Sequence, residues 1–183
     1  MKVSAKRHTK TRDLVLIALF AALLAVCAWI SIPAAVPFTM QTFGVFLALG
    51  LLGGKRGTAA ICTYLALGAI GVPVFAGGAG GVGVLFGSTG GYMVAWIAAG
   101  LIFCLTDRIP GRRLWVQALA MVLGLVVCYA LGTAWFLVVY TARTGPIGLG
   151  AALLSCVVPF LLPDLAKIAL ALAVARRLAP FVK

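Results

Sequence analysis

The chain has 183 residues, of which 64% are hydrophobic and 10% charged, and its mean hydropathy is +1.19. Soluble domains carry about 25% charged and about 45–50% apolar residues, so this composition excludes a soluble enzyme domain, a disordered tail and a disulfide scaffold, and points to an integral membrane protein. Its 15 Lys and Arg stand against 3 acids and no Glu, for a net charge of +12; a soluble nucleic-acid binder can be this basic, but not this apolar.

The charges divide the chain. Residues 1–13 hold Lys2, Lys6, Arg7, Lys10, Arg12 and Asp13 and read as a basic N-terminal tail. The apolar run that follows resembles a signal peptide, but it is longer than the usual h-region and lacks a convincing small-residue cleavage site, so it reads as a retained first span over 14–32. Within it, Ala18/Ala22 and Ala21/Ala25 are each four apart. Small residues at that spacing let helices approach closely in lipid, either against a partner protein or within the bundle. Pro33 and Pro37 signal a turn, and a second, short span is expected over 39–54. Gly50/Gly54 and Gly53/Gly57 repeat the small-residue spacing there. Lys55 and Arg56 precede a third span over 57–73, and a glycine-rich segment leads to a fourth over 90–106. Asp107, Arg108, Arg112 and Arg113 form the next cluster, before a fifth span over 114–140. Arg143, Thr144, Gly145 and Pro146 make a turn into a sixth span over 148–175, and Arg176, Arg177 and Lys183 close the chain.

A bilayer-spanning helix needs about 20 mostly apolar residues. The expected fold is therefore an all-α integral membrane protein, a six-helix bundle forming one membrane domain over 14–178 with a short end at 179–183. An even number of spans puts both termini on one side. The four charged clusters hold 13 of the 15 basic residues on that side, which the positive-inside rule makes cytoplasmic. The basicity is thus a topology signal, and no nucleic-acid partner is expected.

Several chemistries lack their residues. The five cysteines (Cys27, Cys62, Cys104, Cys128 and Cys156) form no Cys-x-x-Cys pair, and the only histidine is His8, so no metal site is expected. Gly54-Lys55 is followed by Arg56 rather than Ser or Thr, which leaves no P-loop for ATP. Gly78, Gly80 and Gly83 spell G-x-G-x-x-G, but between membrane spans and without the acidic residue of a dinucleotide fold. Trp29, Trp96, Trp115, Trp135, Tyr92 and Tyr140 lie mostly near expected span ends, and interfacial anchoring explains most of them, whereas Tyr64 and Tyr129 lie inside spans and need packing or polar partners.

Two features remain. Residues 73–92 are dense in glycine. Irregular backbone at membrane depth survives only when buried in protein or lining a cavity, so this segment is either an external loop or a folded loop whose amides face a ligand. The second feature is Pro163-Asp164-Leu165-Ala166-Lys167 in the sixth span. Ionisable residues at that depth are functional hypotheses by default. Asp164 and Lys167, three apart, share a helix face, and Pro163 is expected to kink the helix. The pair is either a self-neutralising packing element, part of a proton relay, or a binding site in which Lys167 takes a carboxylate and Asp164 accepts N–H donors.

Six short spans, the alanine-rich first helix, Gly77-Gly78-x-Gly80-Gly81, Gly87-x-x-Gly90-Gly91-Tyr92 and Pro163-Asp164-x-x-Lys167 together resemble the BioY family, over roughly residues 12–178. These are biotin-specific substrate-binding (S) components of energy-coupling factor transporters. The resemblance implies a non-enzymatic membrane protein that captures biotin for uptake across the bacterial cytoplasmic membrane, with no cofactor of its own. It implies a transmembrane coupling protein, docked through Ala18, Ala21, Ala22 and Ala25, and two ATPase subunits that bind ATP. By matching motif, Lys167 would hold the valerate carboxylate and Asp164 an N–H group or a polar network. Gly77, Gly78, Gly80, Gly81 and Tyr92 line or cover the fused rings, and Thr39 and Gln41 are further pocket candidates. Ala79 departs from the family pattern, in which many members carry a polar residue at that place.

Two other functions fit less well. A membrane enzyme using Asp164 lacks the paired groups that acid–base catalysis normally needs. A stand-alone, proton-coupled vitamin carrier has only one ionisable pair and no clear inverted repeat, and would need oligomerisation.

Overall fold

Backbone inside hydrocarbon has no water to bond, so a chain this apolar must satisfy its amides within helices. The computed structural model describes residues 3–33, 36–109 and 114–182, with side chains from Lys10 onward, and it is helical almost throughout. Lys2, Arg112, Arg113 and Lys183 lie outside the described residues, as do the side chains of Lys6, Arg7 and His8.

Helix α1 (Val3–Trp29) takes in the basic N-terminal residues as its first turns. A two-stranded antiparallel hairpin follows, β1 (Ser31–Ile32) and β2 (Phe38–Thr39), with Ser31 opposite Thr39 and Ile32 opposite Phe38. Next come α2 (Gln41–Leu52) and α3 (Gly54–Ala69). The glycine-rich loop contains a 3-10 turn at Ala76–Gly78 and the single-turn helix α4 (Val82–Leu85). The chain ends with α5 (Gly90–Thr106), α6 (Leu114–Arg143), α7 (Leu149–Cys156) and α8 (Val158–Val182).

α2 is the axis of the bundle. Every residue from Gly44 to Leu52 is buried, and the helix packs on α1, α3 and α8, while α5 runs alongside α6 and α3. At 1.5 Å per residue α2 is about 18 Å long, short of the roughly 30 Å hydrocarbon core, and its neighbours enclose it. Three stretches, Lys10–Trp29, Leu114–Arg143 and Leu149–Val182, are long and apolar enough to cross a membrane. Outward-facing Leu19, Val94, Leu131, Val138 and Leu162 give the bundle an apolar exterior, as a lipid-facing surface requires.

The breaks between helices differ from the sequence expectation in three places. The second and third spans part at Gly53 alone, whose φ of 86° takes the chain out of the helix, so Lys55 and Arg56 begin α3 instead of forming a separate turn. Arg143 belongs to the last turn of α6. The sixth span is divided at Val157 (φ −124°, ψ −55°), ahead of Pro159, which has no amide to offer the carbonyl four residues earlier. Pro163 lies inside α8, past that break.

Charge collects at one end. Arg12, Asp13, Lys55, Arg56, Asp107, Arg108 and Val182 surround a cavity of about 600 Å³. Arg56 Nε lies 3.2 Å from Asp13 Oδ1, and the Gly54 amide, first of α3, donates to Asp107 Oδ2 at 2.6 Å. That last bond satisfies a donor that a helix start leaves unpaired. Gly50, Gly54 and Gly57 serve internal packing: a Cβ at Gly54 would collide with the backbone of Cys104, and one at Gly57 would sit 2.9 Å from Leu49 Cα.

At the opposite end, α3 packs closely against the glycine-rich loop. Gly68 faces the Phe75 ring with no space for a methyl group. Overpacking of this kind costs about 1–3 kcal/mol, so Gly68→Ala should lower the thermal unfolding midpoint in detergent by several degrees. An unchanged midpoint would show that Phe75 moves aside freely.

Candidate functional site

The cavity at the end of the bundle away from the charge clusters has a volume of about 150 Å³. The hairpin segment contributes Val36, Pro37 and Thr39, and α2 contributes Gln41, Thr42 and Phe46. The glycine-rich segment adds Phe75, Ala76, Val84 and Thr89, and α5 adds Tyr92, Met93 and Trp96. Tyr129 comes from α6, Cys156 from α7, and Phe160, Asp164 and Lys167 from α8. Aromatic and aliphatic surface dominates, with few polar groups, the usual constitution of a small-molecule site.

Asp164 and Lys167 are 4% and 6% exposed. Lys167 Nζ donates to Asp164 Oδ1 and to the Thr39 carbonyl, each at 2.8 Å, and stands 4.0 Å from the centroid of the Phe38 ring. Phe38 in turn stacks on Phe160 at 6.0 Å. Tyr129 donates its hydroxyl to Asp164 Oδ2 at 2.8 Å. Both carboxylate oxygens and the ammonium are thus partnered, as buried charges must be.

A second run of polar contacts continues from Thr39. Its hydroxyl donates to Gln41 Oε1 at 2.9 Å and accepts the Gln41 amide at 3.2 Å. Gln41 Nε2 donates to the Tyr64 hydroxyl at 2.7 Å, which donates onward to the Val74 carbonyl at 3.1 Å. Tyr92 shares a 3.0 Å hydrogen bond with Thr133 and lies over Gly132, where a Cβ would strike its ring.

Of the residues singled out from sequence, Thr39, Gln41, Tyr92, Asp164 and Lys167 therefore meet around one cavity. Gly77, Gly78, Gly80 and Gly81 are not among its lining residues. Their role is in the shape of the loop: Gly77, Gly78 and Gly81 have φ of 70°, 73° and 96°, and a Cβ on Gly80 would lie 2.6 Å from the Val72 carbonyl oxygen. The loop so formed turns Phe75 and Ala76 inward. Ala79 packs against the hydrophobic core, and its carbonyl accepts the Phe75 amide at 2.9 Å.

On α1, Ala21 and Ala25 are buried in the bundle, whereas Ala18 and Ala22 face outward. The small-residue pattern thus serves two surfaces. Trp96, expected at the membrane interface, is instead buried against the cavity. Trp29 and Trp135 donate to the Pro73 and Gly87 carbonyls, at 3.1 and 2.9 Å, and so tie down the glycine-rich segment. Tyr129 is a cavity residue that sequence reasoning marked only as a tyrosine in need of a partner. Phe75 and Phe160 carry no signal in the sequence beyond being apolar.

The arrangement can hold a ligand with a flat apolar body against the aromatic walls and polar groups near Asp164 and Lys167. It offers one carboxylate among the described lining residues and no histidine, a poor set for acid–base chemistry.

Known proteins share this framework. A solved structure described as the S-component for biotin from an ECF-type ABC transporter superposes with a TM-score of 0.82 and 29% identity, covering 93% of this chain and 92% of that one. Biotin transporter BioY of Thermotoga maritima is 41% identical over 168 residues, 91% of this chain and 95% of the relative. Biotin transporter BioY of Rhodobacter capsulatus is 39% identical over 181 residues, 93% of this chain and 94% of the relative. The BioY family model matches residues 1–183, and the chain belongs to the BioY family.

Proposed function

We propose that this protein captures biotin for uptake across the cytoplasmic membrane, as the S component of an ECF-type transporter. The observation that carries the reading is the buried Asp164–Lys167 pair beside an aromatic-walled cavity, in a chain whose relatives are biotin transporters. Biotin has a carboxylate at the end of an apolar chain and a fused ring system with a ureido group. Lys167 takes the carboxylate, exchanging the neutral Thr39 carbonyl for a charged acceptor, which makes a stronger bond. Asp164, oriented by Tyr129, accepts a ureido N–H. Phe75, Tyr92 and Trp96 pack on the rings. Thr39 and Gln41 supply polar contacts, and Gly77, Gly78, Gly80 and Gly81 act through the loop they shape.

In this reading α1, α2, α3, α5, α6 and the α7–α8 pair are six membrane crossings, with the charged end and both termini in the cytoplasm. The support is the clustering of basic residues at one end and the positive-inside rule. The cavity then opens toward the outside, where the vitamin is met. The protein is not an enzyme. A coupling protein and two ATPase subunits supply the energy, and the outward-facing Ala18–Ala22 pair, flanked by Leu19 and Val26, is the docking stripe. A stand-alone proton-coupled carrier is less well supported, since the one intramembrane carboxylate is already engaged by Lys167 and Tyr129.

The test is equilibrium binding of biotin to the purified chain in detergent, without ATP or partners. Tight binding is expected. Lys167→Ala should weaken biotin about 100-fold, because truncating one member of a buried charge pair costs about 2–5 kcal/mol, and should weaken biotin methyl ester far less. Equal losses for acid and ester would refute the carboxylate role. For docking, Ala22→Trp should leave biotin binding intact and abolish co-purification with the coupling protein. Ala21→Trp, on the buried face, should instead lower thermal stability. Full co-purification of a folded Ala22→Trp variant would place the docking surface elsewhere.

A further inference from the structure

Resting on the reading of this cavity as the biotin site, we infer that Tyr64, which does not line it, is a positioning residue that makes the hairpin and the glycine-rich loop behave as one wall. Tyr64 is fully buried, in the middle of α3. Its ring packs edge-on against Phe75 at 5.6 Å and tilted against Trp96 at 6.4 Å, and both of those rings line the cavity. Its hydroxyl accepts from Gln41 Nε2 and donates to the Val74 carbonyl. On the Gln41 side the contacts run through the Thr39 side chain, while the Thr39 carbonyl takes Lys167. On the Val74 side the chain enters Phe75 and Ala76 directly. One hydroxyl therefore joins the backbone segment that Lys167 holds to the loop that bears the aromatic wall.

Ring packing alone does not require that oxygen, since phenylalanine fills the same space. Its presence is explained by the two buried groups it satisfies, and an unsatisfied buried polar group is costly. Without it, the Gln41 amide and the Val74 carbonyl lose their shared partner, and the glycine-rich loop is free to shift without carrying Gln41 and Thr39 with it. A wall that opens independently of its neighbour releases a ligand faster, while the rate of encounter from solution depends on neither bond. The effect belongs in the dissociation rate.

The experiment uses the full chain in detergent with biotin as the probe. Tyr64→Phe should raise the biotin dissociation rate about tenfold with association little changed, the size expected from one lost buried hydrogen-bond partner. Hydrogen exchange supplies the readout that a merely structural role would not move. In Tyr64→Phe, amides of residues 74–81 should exchange faster while those of α5 and α6 keep wild-type protection. Faster exchange throughout α5 and α6, or an unchanged dissociation rate in a variant whose loop is loosened, would overturn the inference. The wild-type chain gives an independent check that needs no variant: biotin should protect residues 38–40 and 74–81 together, and protection of one without the other would also overturn it. Failure of the wild-type chain to bind biotin at all would count instead against the functional reading.

Discussion

A lysine buried in a membrane bundle constrains everything around it. Taking an ammonium out of water costs several kcal/mol, which only close and numerous partners offset. Lys167 finds a carboxylate on its own helix, a backbone carbonyl from β2 and the face of Phe38. Two of those three partners lie outside α8, so the charge pins the hairpin to that helix. Asp164 extends the same logic to α6 through the Tyr129 hydroxyl. Removing the lysine would leave Asp164 as an uncompensated buried anion, a worse state than having neither residue. In the proposed reading, the benefit of this ion pair lies in recognition rather than in stability.

Around that pair, aromatic rings are seated by the absence of side chains opposite them. Phe75 rests on Gly68, Tyr92 on Gly132 and Trp135 on Gly91, each where a methyl group would collide with the ring. Interiors pack at crystal-like density, so a large flat side chain needs a matching flat surface, and a glycine within a helix provides one. Two of these rings, Phe75 and Tyr92, then form cavity wall. The Tyr92 hydroxyl and the Trp135 indole nitrogen complete the fit by reaching Thr133 and Gly87.

These details explain which parts of the site were legible in the sequence. Asp164 and Lys167 stand out because nothing else in their surroundings is charged and their spacing puts them on one helix face. Thr39 and Gln41 enter as pocket candidates only through the resemblance to the BioY family, since an uncharged Thr and Gln after a turn carry no local signal of a site. The glycine-rich loop was legible as unusual, but not in its function. Glycine at positive φ and glycine facing a ligand leave the same sequence signature, and here Gly77, Gly78 and Gly81 are of the first kind. Trp96 was taken for an interfacial anchor because position along a span does not reveal which way a side chain points. The helix boundary at Gly53 was hidden by the Lys55–Arg56 pair, a stronger apparent turn signal that sits inside α3 because Asp107, distant in sequence, satisfies the amide of Gly54. Contacts of that range leave no local pattern.

The two ends of the bundle treat the same ion-pair chemistry in opposite ways. Asp13 and Arg56 are 36% and 44% exposed, where solvent screens them and the pair is worth little. Asp164 and Lys167 are buried, and the polar residues that share their cavity, Thr39, Gln41, Thr42, Thr89, Tyr92 and Tyr129, carry no formal charge. In the proposed reading, a ligand carboxylate at Lys167 brings a further negative charge into the site. Only further donors can accommodate that excess in a low-dielectric pocket. The neutral hydroxyls are suited to this, since a hydroxyl rotates to donate or accept as its neighbour requires. In the proposed reading charge supplies the recognition, and a polar lining without formal charge accommodates the added carboxylate without a second buried cation.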